Sequence, residues 1–150
     1  MRYEKIWKKI LSEGEKVEYE FSVGDKYIKF GLLAWAIICT PLLFLWGLGI
    51  IVFIVVFLSY MYIKFANAYA LTNKRVLIHK GLLSTKTISV DYRKITDVVI
   101  VEPFMDKIIT HTGHIVIDTA GTNDIEIMLK HIQEPYEVKK KLDSLKDKVT

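Results

Sequence analysis

Residues 30–63, FGLLAWAIICTPLLFLWGLGIIVFIVVFLSYMYI, carry no Asp, Glu, Lys, Arg or His. Leu, Ile, Val and Phe dominate the run, and each favours the centre of a membrane helix by roughly 0.3–0.6 kcal/mol. A core helix of a soluble protein rarely needs so long an unbroken apolar stretch. The run therefore belongs in a bilayer. As one helix it would be about 51 Å long, against a hydrocarbon core about 30 Å thick. Tilt does not absorb that excess, so the chain is expected to turn back. Trp46-Gly47-Leu48-Gly49 offers the turn, because glycine accepts unusual backbone angles and tryptophan favours the membrane boundary. Pro41 then falls inside the first helix. Each arm is slightly short, and Tyr27, Tyr60 and Tyr62 at the interface, with Lys26, Lys29 and Lys64 snorkelling, extend it. The competing arrangement is a re-entrant hairpin that never reaches the far side.

A hairpin leaves both ends of the chain on one side. Lys16, Lys26 and Lys29 precede it, Lys64, Lys74 and Arg75 follow it, and the Gly-Leu-Gly turn is uncharged. The positive-inside rule puts both ends in the cytoplasm. The apolar run is too long and starts too late for a cleaved signal peptide. The 87 residues that follow suffice for one small domain. They hold 14 basic and 11 acidic side chains, a mild excess that suits a domain near anionic lipid heads. No interleaving of basic and aromatic residues suggests a nucleic-acid partner. The single cysteine, Cys39, lies in the apolar run and reads as a small packing residue.

Residues 3–11, YEKIWKKIL, place Ile6, Trp7, Ile10 and Leu11 at helical spacing. This is either an interfacial amphipathic helix or one packed on the later domain. Residues 16–23 alternate as a strand, with Val17, Tyr19, Phe21 and Val23 on one face, and are expected to join a sheet formed after the hairpin. Beyond it, strands are predicted over 67–71, 75–79, 85–92, 95–101, 114–118 and 124–128. Thr72-Asn73-Lys74 and Ala120-Gly121-Thr122-Asn123 read as turns. Residues 104–110 read as irregular or a single helical turn. From Pro135 the period changes: Val138, Leu142, Leu145 and Val149 form one apolar stripe on a closing helix.

Tyr69-Ala-Leu-Thr-Asn-Lys-Arg-Val76, then Gly81, Tyr92-Arg-Lys-Ile-Thr-Asp-Val98, Gly113-His-Ile-Val-Ile117 and Pro135 before a helix together resemble the bacterial pleckstrin-homology-like (bPH) domain family. The resemblance spans about residues 66–146, and a preceding two-helix hairpin is common in that family. It implies an α+β membrane protein, with a two-helix transmembrane hairpin and a PH-like split β-barrel capped by its C-terminal helix. The division is an N-terminal helix and strand (1–29), the hairpin (30–63) and the PH-like domain (64–150). It implies a cytosolic domain in the cell membrane, with a role in envelope homeostasis or signalling. Eukaryotic PH domains, which the family resembles in fold, often bind inositol phosphates through basic residues between the first strands. Here Lys74 and Arg75, with Lys80 and Lys86, hold the corresponding places. The alternative is that Thr72, Asn73 and Arg75 are turn and packing residues, since Asn tolerates the left-handed angles of a tight turn.

No Gly-x-Ser-x-Gly, phosphate-binding loop or dinucleotide fingerprint occurs, so no enzymatic activity and no cofactor is expected. His111 and His114 are the close histidine pair, and Asp106 or Asp118 would have to complete a metal site. Gly113 between them suggests a turn into a strand instead, and no metal is expected. Asp91, Asp97, Asp118 and Asp124 fall in alternating strands, where the solvent face is the ordinary place for a charge. The apolar run holds no strongly ionisable group of the kind ion transport uses. The expectation is a membrane-tethered binding or scaffolding module. Its partners would be the bilayer with an anionic headgroup, a protein, or a second copy. The competing function is that of a non-catalytic subunit in a larger membrane enzyme or transporter complex.

Overall fold

The computed structural model describes residues 3–42, 48–120 and 127–149. The alternating segment near the N-terminus forms β1 (Val17–Ser22), and the segment after the apolar run forms β2 (Asn67–Thr72). The two pair antiparallel, with Phe21 opposite Tyr69. Thus β1 does join a sheet made after the hairpin. Strands β3 (Arg75–Lys80) and β4 (Lys86–Asp91) complete the first sheet in the order β1-β2-β3-β4. Gly81 opens the β3–β4 turn at φ +96°, and an added Cβ would lie 1.9 Å from the Ser84 carbonyl oxygen. Only glycine fits such a turn.

The second sheet contains β5 (Ile95–Val101), β6 (Thr112–Thr119) and β7 (Ile127–Gln133), in that order. A 3-10 turn, Tyr92–Lys94, links β4 to β5, and the Asp91 carboxylate caps it by accepting the Arg93 N–H. At the opposite side, a bridge from Val23 to Ile132 and a 2.8 Å hydrogen bond from the Gly24 N–H to the His131 carbonyl join β1 to β7. The result is a split barrel. Its core includes Tyr69, Leu71, Val76 and Ile78 from the first sheet and Ile115, Ile117 and Leu129 from the second.

Helix α4 (Pro135–Lys146) closes the barrel with Val138, Leu142 and Leu145, as the stripe predicts. Burying each such side chain contributes about 1.5–3 kcal/mol. Lys139 and Lys146 donate to the carbonyls of Val98 (2.7 Å) and Ile95 (2.9 Å), which protects the open edge of β5.

Strand β2 is buried on both faces, which explains its continuous Ala-Tyr-Ala-Leu run. Its small outward residues, Ala68 and Ala70, make room for Trp7 on α1 (Glu4–Ile10), which is 1% exposed and also packs near Leu77. The Trp7 indole N–H donates to the Glu20 carboxylate at 2.9 Å. The N-terminal helix is therefore packed on the sheet; of the two arrangements the spacing allows, the interfacial one does not form. An indole this deeply covered by protein is not available to a lipid headgroup layer.

The apolar run forms α2 (Asp25–Leu42) and α3 (Leu48–Ala66), packed side by side. Pro41 lies inside α2, as expected. Both helices extend past the uncharged run toward the barrel, where the first turn of α2 and the last turn of α3 are held together. Lys64 does not snorkel outward. It is buried and paired with Asp25 across the foot of the two helices, and its Nζ also reaches the Val23 carbonyl at 3.4 Å. Its own carbonyl accepts from the Tyr3 hydroxyl at 2.9 Å. Of the expected turn, Leu48 and Gly49 are helical, while Trp46 and Gly47 lie outside the described residues. Among the described residues, one helix, Leu48–Ala66, is long and apolar enough to cross a membrane by length and composition.

Strand β7 differs from its expected span. Residues 124–126, its expected start, and the turn residues 121–123 lie outside the described residues, and the strand runs on to Gln133. His131 adopts φ 52° and the β6–β7 register shifts between Gly113 and Ile115. This bulge breaks the two-residue alternation by which a strand is read.

Candidate functional site

The four basic residues singled out by the sequence do not converge. Arg75 opens β3 and Lys80 ends it, so they stand about 17 Å apart along the strand. At the far end from the helical hairpin, the Arg75 guanidinium grips Glu15 in a two-pronged pair, Nε to Oε1 at 3.0 Å and Nη2 to Oε2 at 2.9 Å. Nη2 also donates to the Ser12 hydroxyl at 3.1 Å. The Thr72 hydroxyl donates to Glu15 at 2.7 Å, and the Asn73 side-chain oxygen accepts the Lys16 N–H at 3.0 Å. Lys74 reaches the Glu13 carbonyl at 3.3 Å. The Thr-Asn-Lys-Arg stretch is thus a receptor for the chain's own N-terminal loop. Burial pushes the Glu15 carboxyl up, but Arg75, the Ser12 N–H and Thr72 outweigh it and hold the group down at about 2. Glu15 escaped the sequence reading, because an acid in a Ser-Glu-Gly-Glu turn looks like a solvated one.

Lys80 and Lys86 sit at the other end, directly opposite each other across β3 and β4. The Gly81 N–H bonds the carbonyl of Ala66, the last residue of α3, at 2.7 Å, so this end lies at the foot of the hairpin. A cleft of about 280 Å³ opens there, lined by Tyr27, Asn67, Lys80, Lys130 and His131 among others. The Lys80 ammonium donates to the Met128 carbonyl at 3.0 Å. Burial lowers its pKa, and the neighbouring charges of Lys130 and Lys86 lower it further. An anion in the cleft would relieve that repulsion.

Behind the cleft, Asp106, His114 and His131 gather with their ligand-type atoms within 4.8 Å of one another. This is not the pair that chain spacing favoured: His111 stands apart, at the end of a π-helical turn (Asp106–Thr110), with φ 51°. Strand pairing instead brings together two histidines 17 positions apart. His114 Nδ1 accepts the His131 N–H at 3.1 Å, which puts the His114 proton on Nε2. His131 Nδ1 lies 3.0 Å from Asp106 Oδ2, and the Tyr27 ring stacks on His131 with centroids 3.7 Å apart. Burial lowers the His131 pKa, with Asp106 opposing it. A metal on His114 Nε2 would drive the proton to Nδ1, against the N–H already bound there. The cluster is better satisfied as a hydrogen-bond network that fixes the β7 bulge beside α2.

Two sheets of four and three strands, closed by a C-terminal helix, define a pleckstrin-homology-like domain. Helices α2 and α3 lie between β1 and β2 in the chain. The chain belongs to the Bacterial PH domain family, whose pattern matches residues 27–146. It is similar in fold to a DUF1696 family protein with a pleckstrin-homology domain from Shewanella loihica PV-4. That likeness has 12% identity and TM-score 0.54, and covers 97% of this chain and 94% of that one. It is also similar to a pleckstrin homology domain from Shewanella amazonensis SB2B, at 10% identity and TM-score 0.53, over 94% of this chain and 82% of that one. No curated protein matches the chain.

Proposed function

We propose that the protein is a membrane-anchored, non-catalytic binding module of the cell membrane, with α2 and α3 as its anchor. In this reading the cleft at the hairpin's foot takes an anionic lipid headgroup. The observation that carries it is the juxtaposition of Lys80, Lys86 and Lys130 with the base of two helices whose outward faces are apolar and exposed. An exposed face of Ile, Val and Phe is costly in water and favourable in lipid. Anchoring raises the local concentration of headgroups, so a few lysines suffice where a soluble domain would need a dense cluster. Lysines at both helix feet support a cytoplasmic barrel.

The test uses the full chain in neutral detergent, titrated with short-chain phosphatidylglycerol or phosphatidylcholine while thermal unfolding is followed. A ligand that binds the folded state raises the midpoint. The anionic lipid is expected to raise it and the zwitterionic lipid to leave it in place. The rise is expected to vanish in Lys80→Ala/Lys130→Ala and to survive in Lys74→Ala. A response indifferent to headgroup charge or to the double substitution removes the lipid as ligand and leaves a protein partner as the occupant to seek.

A further inference from the structure

The connection between β5 and β6 departs from a soluble loop in composition and position. Phe104 is 74% exposed, Met105 61% and Ile108 57%, although each is apolar. These residues do not hang free at a random edge of the barrel. Met105 and Ile109 share a groove of about 240 Å³ with Phe30, Gly31, Ala34 and Trp35 of α2. Phe30 is the first residue of the uncharged run, and Trp35 stands about 7.5 Å further along the helix axis. The segment therefore climbs beside α2 past the point where charge ends.

The β3–β4 turn repeats the pattern at the other helix. Leu83 is 96% exposed, next to Leu82 at 49%, in the turn whose Gly81 bonds the end of α3. Basic groups accompany both places: Lys26 and Lys29 on the first turns of α2 are exposed, Lys107 lies within the 104–109 segment, and Lys86 follows the leucine turn. Lys107 also reaches the Glu102 carboxylate at 3.8 Å. Apolar tips with exposed lysines near them in the chain complement an anionic bilayer surface, where the tips enter the acyl boundary and the ammonium groups stay among the headgroups.

We propose that residues 104–109 and the Leu82-Leu83 turn are two further membrane contacts, which dip into the interface of an anionic bilayer on either side of the hairpin and hold the barrel upright on it. This rests on the reading of α2 and α3 as membrane-embedded. Three contacts around one foot fix an orientation that a hairpin alone leaves free to swivel. They also hold the Lys80 cleft at headgroup depth.

The experiment reconstitutes the full chain, carrying Cys39→Ala, into vesicles of phosphatidylglycerol and phosphatidylcholine. Single cysteines at positions 54, 83, 104 and 141 bear an environment-sensitive fluorophore. Quenching is read from water by iodide and from the bilayer by spin-labelled lipid. Position 54 reports the hairpin and position 141, exposed on α4, reports water. Labels at 83 and 104 are expected to resist iodide several-fold better than the label at 141, and to be quenched by shallow lipid labels. If position 54 is buried in lipid while 83 and 104 match 141, the contacts are refuted and the hairpin anchor stands. If position 54 is itself open to iodide, both the anchor and the contacts fall.

Discussion

Glu15 illustrates how one residue sets a pH limit on this fold. Its side chain is fully buried against Arg75 and its carboxyl is held at about 2, against an ordinary value of 4.5. The folded state thus binds the proton less readily than the unfolded chain does. The resulting stability is complete above about pH 4.5 and is lost as pH falls toward 2. That difference corresponds to roughly 3 kcal/mol. Glu15→Gln leaves the Arg75 guanidinium partly buried without its countercharge, and is expected to cost about 3 kcal/mol at pH 7. The measurement is thermal or denaturant unfolding of the purified chain between pH 2 and 7. Wild type should lose stability through the acid range, and the variant should lose markedly less there, its loss having already been taken at neutral pH. Equal slopes in both proteins would show that Glu15 is solvated rather than gripped.

At the scale of elements, the burial of α1 makes the N-terminal segment a working part of the barrel. Trp7→Ala empties a site walled by Ala68, Ala70 and Leu77, residues too small or too fixed to refill it. The expected cost is about 3–5 kcal/mol. Amide hydrogen exchange should localise the loss to α1 and the β1–β2 pair, with β6 protected as before; uniform loosening of the whole chain would contradict this picture. The same elements show what the sequence could reveal. β1 and the strand runs from β2 to β6 were legible because each alternates or fills a two-sided core position, and α4 because its stripe keeps one helical period. The pairing partner of α1 was not legible, since an amphipathic helix looks the same against lipid and against a sheet. The far half of β7 was lost at the His131 bulge. Of the Asp106–His114–His131 network only His131 was hidden, because it joins from β7 through strand pairing. The basic cleft was hidden because Lys80 meets Lys130 only after both sheets have closed.

For the whole molecule, connectivity decides topology more firmly than charge does. The hairpin interrupts the chain between β1 and β2, yet those two strands hydrogen-bond to each other along their length. Lys64 and Asp25, at the two feet, are paired as well. Segments in direct contact cannot lie on opposite faces of a bilayer, so a membrane-inserted hairpin must leave and return on the same side. This holds whether it spans the bilayer or turns back inside it. In a Cys39→Ala background, single cysteines at Glu13 and Lys141 report the N-terminal loop and the closing helix, both exposed. In sealed vesicles of one orientation, both are expected to react alike with a membrane-impermeant thiol reagent: both before lysis or both only after it. Reaction of one before lysis and of the other only after it would mean that β1 and β2 are separated by the membrane, and a barrel built on their pairing could not exist in the cell.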